Sequence, residues 1–188
     1  MDLFDAILTR TTAGRLAEPG PTSEHLDRMI AAATRAPDHG RLQPWRFFVL
    51  DASARERFAD AVVEARRRRP PAPTPEQLAV ERDKVWRSPT LLVVGCAVHP
   101  GHPKVPEIEQ VLAVGAGVMN LLNAFHAMGF GAIWLTGGNA YDPRIAAALG
   151  FEASERCLGF VYVGTPEAAE SGPPRRPERD AVVRDWSP

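Results

Sequence analysis

Residues 90–98 read Thr90-Leu91-Leu92-Val93-Val94-Gly95-Cys96-Ala97-Val98, directly after Pro89. The run is almost unbroken in apolar residues. A strand of this kind suits burial on both faces, so it predicts a sheet with helices on either side. It is too short to span a bilayer. Working outward, residues 107–128 form the longest helix candidate, closed by Gly129. It is apolar on more than one face, which predicts a central helix. Ala113, Gly115, Ala116 and Gly117 leave part of it almost without side chains. Each glycine inside a helix costs roughly 1 kcal/mol relative to alanine, a cost tolerated where a backbone or ligand approaches closely.

The remaining elements alternate around these two. A short helix is expected over 3–9, ending in Arg10, and a clearer one over 22–35, where Leu26, Met29, Ile30 and Ala33 make one apolar stripe and Pro37 stops the helix. Arg46 to Leu50 is the first strand expected. Ser53-Ala54-Arg55-Glu56 and Thr74-Pro75-Glu76-Gln77 both read as capping boxes. The helices they open run through Val63 and to about Trp86, separated by a basic, proline-rich break at 66–73. Strands follow at 131–136 and 157–163, and Asp142-Pro143 caps a short helix ending at Gly150. No internal repeat is present. The pattern predicts an α+β fold with helices covering a mixed four- to five-stranded sheet.

Bulk composition narrows the function classes. The chain has 188 residues, 45% hydrophobic and 24% charged, with a net charge of −1. This predicts one soluble domain, with residues 167–188 as an extended, proline-rich tail. Neither nucleic acid nor an acidic membrane is implied as a partner. The acidic start Met1-Asp2-Leu3-Phe4-Asp5 is unlike a signal peptide, so a cytoplasmic protein is expected. Cys96 and Cys157 both lie in apolar runs and read as buried free thiols.

Three clusters carry possible chemistry. Arg10-Thr11-Thr12-Ala13-Gly14-Arg15 offers guanidiniums and hydroxyls suited to a phosphate, or is a solvated helix end. Residues 35–45, from Arg35 through Pro37, Asp38, His39, Gln43 and Pro44 to Trp45, make a stiff loop with polar groups beside an indole. This suits a flat, polar-edged ligand such as a flavin. His39 there is a ligand contact or a turn residue without a role, and no nucleophile accompanies it as a catalytic base would require. Trp134-Leu135-Thr136-Gly137-Gly138-Asn139 ends a strand in paired glycines, which admit a ligand to the backbone or simply make a turn. His99-Pro100-Gly101-His102-Pro103 matches no standard zinc spacing and reads as a surface loop. Arg66 to Arg69 reads as a solvated face, and the segment 66–86 would form any lid over a substrate.

Taken together and in this order, the segments resemble the nitroreductase family of FMN-dependent oxidoreductases, and most of all its short branch of NAD(P)H nitroreductases. The stretches that carry the resemblance are Arg10-Thr11-Thr12 with Arg15, Ala36-Pro37-Asp38-His39 through Gln43-Pro44-Trp45 with Phe47-Phe48, Lys104-Val105-Pro106 with Glu109-Gln110, Gly129-Phe130-Gly131 with Trp134, and Gly159-Phe160 through Gly164-Thr165-Pro166. The resemblance implies a three-layer homodimer with FMN at the interface. It implies that Arg10, Thr11 and Thr12 hold the phosphate and ribityl end of FMN. It assigns Arg35 and His39 to FMN contacts made from the partner subunit, and Trp134, Leu135 and Thr136 to the flavin edge. Arg175 or Arg176 is implied at the phosphate, and residues 124–129 at the nicotinamide nucleotide. The implied activity is hydride passage from NAD(P)H through the flavin to an electron-poor acceptor such as a nitroaromatic or quinone, by ping-pong exchange. The alternative is an FMN-binding carrier or sensor without turnover. Thr11 stands where family members carry a second arginine, and Leu135 where close relatives carry arginine, so each position has one charge fewer.

Overall fold

The computed structural model describes residues 1–167 and 176–186. The apolar run forms β3 (Thr90–Ala97), buried along almost its whole length. Its side chains alternate between two cores. Leu91 and Val93 join Phe58, Val62, Phe160 and Tyr162 on one face. Leu92, Val94 and Cys96 join Val114, Val118, Leu121, Phe125 and Val161 on the other. The two-residue period of a strand thus turns one continuous apolar run into two separate interiors.

β3 pairs with β2 (Trp45–Val49) on one side and with β5 (Glu155–Pro166) on the other. β5 in turn takes β1 (Leu16–Ala17) and β4 (Gly131–Leu135). The expected helix-covered sheet is present with five strands, and the ladders among the described residues are antiparallel. α3 (Ala52–Arg67) and α7 (Pro143–Ala148) cover the first core through Phe58, Ala59, Val62, Ala65 and Ile145. α2 (Ser23–Ala33) and α5 (Glu107–Ala127) cover the second. α1 (Leu3–Thr9), α4 (Pro75–Asp83) with a 3-10 turn at Lys84–Trp86, α6 (Gly137–Ala140) and α8 (Arg179–Val182) complete the set. α5 is long and apolar enough to cross a membrane by length and composition, but its buried side packs into the second core. Cys96 and Cys157 belong to opposite cores, so the sheet itself keeps the thiols apart.

Several expectations need correction. α3 begins at Ala52, because the Asp51 carboxylate accepts the Ala54 amide at 2.7 Å and caps the helix ahead of Ser53. Ser53 lies inside the first turn, where its hydroxyl accepts from Arg57. β5 runs beyond 157–163 at both ends. β1 carries no strand pattern in its two residues and exists because the end of β5 supplies a partner. The Thr74 box formed as read, with reciprocal Thr74 and Gln77 bonds.

One irregularity in the sheet shapes the edge where β4 meets β5. The β3–β5 register steps from Val94 opposite Gly159 to Gly95 opposite Cys157, which leaves Leu158 as a bulge residue. The Leu158 carbonyl accepts the Trp134 indole N–H at 3.0 Å. Gly159 has φ +125°, and a Cβ there would lie 2.6 Å from the Leu135 carbonyl oxygen. Glycine is required on both counts. We expect Gly159→Ala to lose about 2–4 kcal/mol of stability, through strain and the displaced β4 carbonyl. Urea unfolding checks this, and a loss under about 0.5 kcal/mol would contradict it.

Candidate functional site

A cleft of about 660 Å³ opens on the first-core side of the sheet, within the usual range for small-molecule sites. Its floor is Phe58 and Val62 of α3 with Phe160 and Tyr162 of β5. One wall is the end of β4 and the start of α6, Trp134 to Asn139. Trp134 is fixed there by the Leu158 carbonyl. Gly137, at φ +55°, turns the chain from strand into helix. The facing wall is the α3–α4 connection and α4 itself, with Arg66, Arg69, Pro70, Glu81, Lys84 and Val85. The segment expected to cover a substrate therefore does line the cleft. Arg66 to Arg69 is not a uniform solvated face, because Arg66 and Arg69 are half-buried in the cleft while Arg67 and Arg68 are exposed.

Arg69 ties the two walls together. Its Nη2 donates to Asn139 at 2.8 Å and its Nε to Asp142 at 3.1 Å. Its Nη1 rests where a Cβ on Gly138 would stand, 2.8 Å away. Asp142 is buried. It also caps α7 by accepting the Arg144 amide at 3.0 Å, and it binds the Arg144 guanidinium. Burial pushes its carboxyl up, but the bonds from Arg144 and Arg69 outweigh that and hold it below the ordinary 3.8.

Arg10 and Thr11 lie in a separate narrow crevice with Leu122, His126, Phe130 and Ala132. The Arg10 Nε is buried and has no hydrogen-bond partner among the described residues. His126 Nε2 is 2.8 Å from the Thr9 hydroxyl. Burial, with the Arg10 charge second, lowers the His126 pKa and keeps the ring neutral at pH 7. Thr12 is exposed. Arg176 donates to the Leu8 carbonyl at 2.9 Å, which places it at the end of α1 close to Arg10. Arg175 lies outside the described residues. The Ala13 amide donates to Ala132 at 3.2 Å, so the crevice and the Trp134–Thr136 wall lie along one strand, β4.

Arg35 and His39 are not in that group. Arg35 is exposed just beyond α2. His39 Nδ1 meets Glu109 at 2.6 Å, on the first turn of α5. His126 is on the last turn of the same helix, and α5 rises about 25 Å between Glu109 and His126. Within one chain, His39 and Arg10 therefore stand at opposite ends of α5. Residues 124–127 form that last turn, and Gly129 closes it at φ +87°.

The loop at 35–45 has an unusual backbone. Gly40, Arg41 and Gln43 all have positive φ, and Asp38 holds the Gln43 amide at 2.8 Å. Two non-glycine residues in that region are uncommon. Trp45, however, is not part of a ligand platform. Its indole turns inward, donates to the Ala113 carbonyl at 3.1 Å and occupies the space that a side chain on Gly117 would need. His102 Nδ1 accepts the Lys104 and Val105 amides and so closes its own loop. The sequence reading did not single out Arg66, Arg69, Lys84, Arg87 and Asp142 as site residues, while Asn139 and His126 fall inside stretches it had marked.

We expect Asp142→Ala to cost about 2–4 kcal/mol, combining a lost cap with a stranded, partly exposed Arg69. Because the folded carboxyl lies below its unfolded value, the charge-dependent part of this contribution is complete above 3.8 and declines as pH falls through the folded pKa. Thermal melts of both proteins at pH 7 and pH 3 check this. The gap between them should narrow at the lower pH.

Comparisons with known proteins bear on the family and the fold. The profile described as "Nitroreductase family" matches residues 15–165. "Putative NAD(P)H nitroreductase YdjA" of Escherichia coli K12 is 38% identical over 91% of this chain and 92% of that protein. A Haemophilus influenzae protein of the same description is 31% identical over 88% and 89%. Among solved structures, a nitroreductase-like family protein from Bacillus cereus superposes with TM-score 0.83 at 21% identity, covering 100% of this chain and 97% of that one. A Desulfovibrio desulfuricans "putative nitroreductase in complex with fmn" gives 0.76 at 22%, covering 100% and 99%. With sequence matches over nearly the whole chain and the same fold throughout, the chain belongs to the nitroreductase family.

Proposed function

We propose that this chain is an FMN-dependent oxidoreductase that moves reducing equivalents from NAD(P)H to an electron-poor acceptor such as a nitroaromatic or a quinone. The observation that carries the reading is the buried, unpartnered Arg10 Nε, set along one strand from the Trp134–Asn139 wall of an open cleft. A buried guanidinium nitrogen without an acceptor is costly, and a phosphate at Arg10, Thr11 and Thr12 supplies one. The ring system then lies at the mouth of the cleft, along Trp134, Leu135 and Thr136, and leaves the floor to the second substrate. The name of the YdjA relative and the FMN in the Desulfovibrio structure support this assignment.

The chemistry supplied by bound FMN is two-electron transfer, with donor and acceptor using one face in turn, as in ping-pong exchange. The residues of this chain bind, orient and shield. The Gly137 backbone is bare, Gly138 is covered by the Arg69 guanidinium, and Arg69 holds the Asn139 side chain beside them. No protein nucleophile is called for.

The active unit in this reading is a homodimer. α5 keeps a row of exposed apolar residues, Ile108, Leu112 and Met119, after its other side is buried, and α1 exposes Leu3, Phe4 and Leu8. Pairing two α5 helices antiparallel across this row covers it. It also brings the His39 end of one protomer to the Arg10 end of the other, which reconciles their separation within one chain. His39 and Arg35 then complete the partner's site. A cytoplasmic setting suits the reduced thiols.

The purified protein is expected to be yellow and to bleach with NADPH or NADH. A colourless protein that takes up no FMN would sink the reading, and bound FMN that neither nucleotide reduces would mark a carrier or sensor. Arg10→Ala is expected to weaken FMN retention about 10- to 100-fold. Leu112→Glu is expected to give monomers by light scattering and to lose FMN with them. A flavin-replete monomer would refute the shared site.

A further inference from the structure

The cleft carries more positive charge than the flavin reading requires. Arg66, Arg69, Lys84 and Arg87 line it, with Glu81 the only acid among the lining residues. Carboxylates compensate two of these cations. Lys84 Nζ is 2.6 Å from Glu81, and Arg69 binds Asp142. The other two make no ion pair among the described residues. Arg66 Nη1 donates to the carbonyls of Arg69 and Pro71, at 2.9 and 3.0 Å. Arg87 Nε donates to the Lys84 carbonyl at 3.0 Å, and its guanidinium sits 5.1 Å from the Tyr162 ring centroid. Carbonyl acceptors and a ring face fix where a guanidinium stands without cancelling its charge. Each side chain also keeps N–H groups beyond those bonds.

A further cation, Arg55, is buried behind the lining and is not itself part of it. Arg55 is 5% exposed, bonds the Ser88 carbonyl at 2.8 Å and lies over Trp86. Its Nε and Nη2 have no hydrogen-bond partner among the described residues. Burial, opposed by Arg87 and Arg55, keeps Tyr162 protonated, so its hydroxyl is a donor at neutral pH. The whole chain carries a net charge of −1, whereas the described cleft lining holds four cations and one acid. Below it the floor is apolar and aromatic, with Phe58, Val62 and Phe160. A flat ring with one anionic substituent matches both features.

We propose that Arg66 and Arg87 form an anion subsite that receives the carboxylate or phosphate of the second substrate, while the rest of that substrate lies over the floor. The proposal rests on the cleft being the substrate-facing site of the flavin enzyme, and it names the class of substrate that site takes. The anion has two possible sources: an aromatic acceptor bearing a carboxylate, or a nicotinamide nucleotide bearing the 2′-phosphate.

Calorimetric titration of the protein as purified separates these outcomes. Benzoate and benzamide share a ring and a shape but differ in charge. Benzoate is expected to bind at least about tenfold tighter than benzamide, with the gap shrinking in about 0.5 M salt. NADP⁺ against NAD⁺ forms the second arm. Arg66→Gln and Arg87→Gln are each expected to narrow whichever ratio is large. A ratio confined to benzoate assigns the subsite to the acceptor, and one confined to NADP⁺ assigns it to the nucleotide. Ratios near one in both arms, or no measurable binding of either anion, overturn the proposal, and this comparison needs only the unmutated protein. A colourless protein that still prefers the anions would discard the flavin reading and keep the subsite. A yellow protein indifferent to charge would do the reverse.

Discussion

Burial of β3 on both faces is the constraint on which the other layers depend. A strand with Leu91 and Val93 on one side and Leu92, Val94 and Cys96 on the other has no face to give to water. The sheet must therefore be covered twice, by α3 and α7 on one side and α2 and α5 on the other. α5 meets that demand with Val114, Val118, Leu121 and Phe125, yet it remains apolar on its outer side at Ile108, Leu112 and Met119. A helix apolar around most of its circumference needs cover beyond one small domain. In the proposed dimer the surplus of this helix sets the geometry of the site, because its two ends carry the two halves that must meet.

Much of the fold was legible because its signals are local. The unbroken run at 90–98, the glycine closing α5, the reciprocal Thr74 and Gln77 bonds and the Asp142-Pro143 start of α7 each depend on neighbours a few residues away. What escaped depends on contacts distant in sequence. β1 is two residues long and is a strand only because β5 reaches far enough to pair with it. Trp45 looked like part of a ligand platform, but Gly117 on α5 offers a space that only an absent side chain leaves, and the indole fills it. No pattern around Trp45 reports what α5 lacks.

The candidate site divides along the same line. Arg10, Thr11 and Trp134 to Thr136 stood out as clusters and do lie along one strand. The cationic wall did not, though a signal for it was present. Arg55, Phe58, Val62, Arg66 and Arg69 recur every three or four residues, so Arg66 and Arg69 continue the stripe by which α3 meets the sheet. Four consecutive arginines conceal this phase, because charge alone does not tell which of them point inward. Reading the stripe through the run, instead of treating the run as one solvated face, separates Arg66 and Arg69 from Arg67 and Arg68.

The cleft takes its shape from places where regular structure fails. A regular β5 would engage the Leu158 carbonyl in its ladder. The bulge releases it to hold Trp134, and the bulge exists because Gly159 tolerates φ +125° against the Leu135 carbonyl. Across the cleft, the Arg69 guanidinium lies against the Gly138 backbone, where any side chain would displace it. Its partner Asp142 is anchored because it already caps α7. A buried carboxylate is a poor way to gain stability alone, since desolvation offsets much of its attraction. Here one such group binds a helix start and Arg69 of the α3–α4 connection, and Arg69 in turn holds Asn139 of the strand-end loop. The energetic return is therefore chiefly one of position. The two walls keep a fixed separation over an apolar floor, and the cations on the rim keep their charge directed at whatever enters.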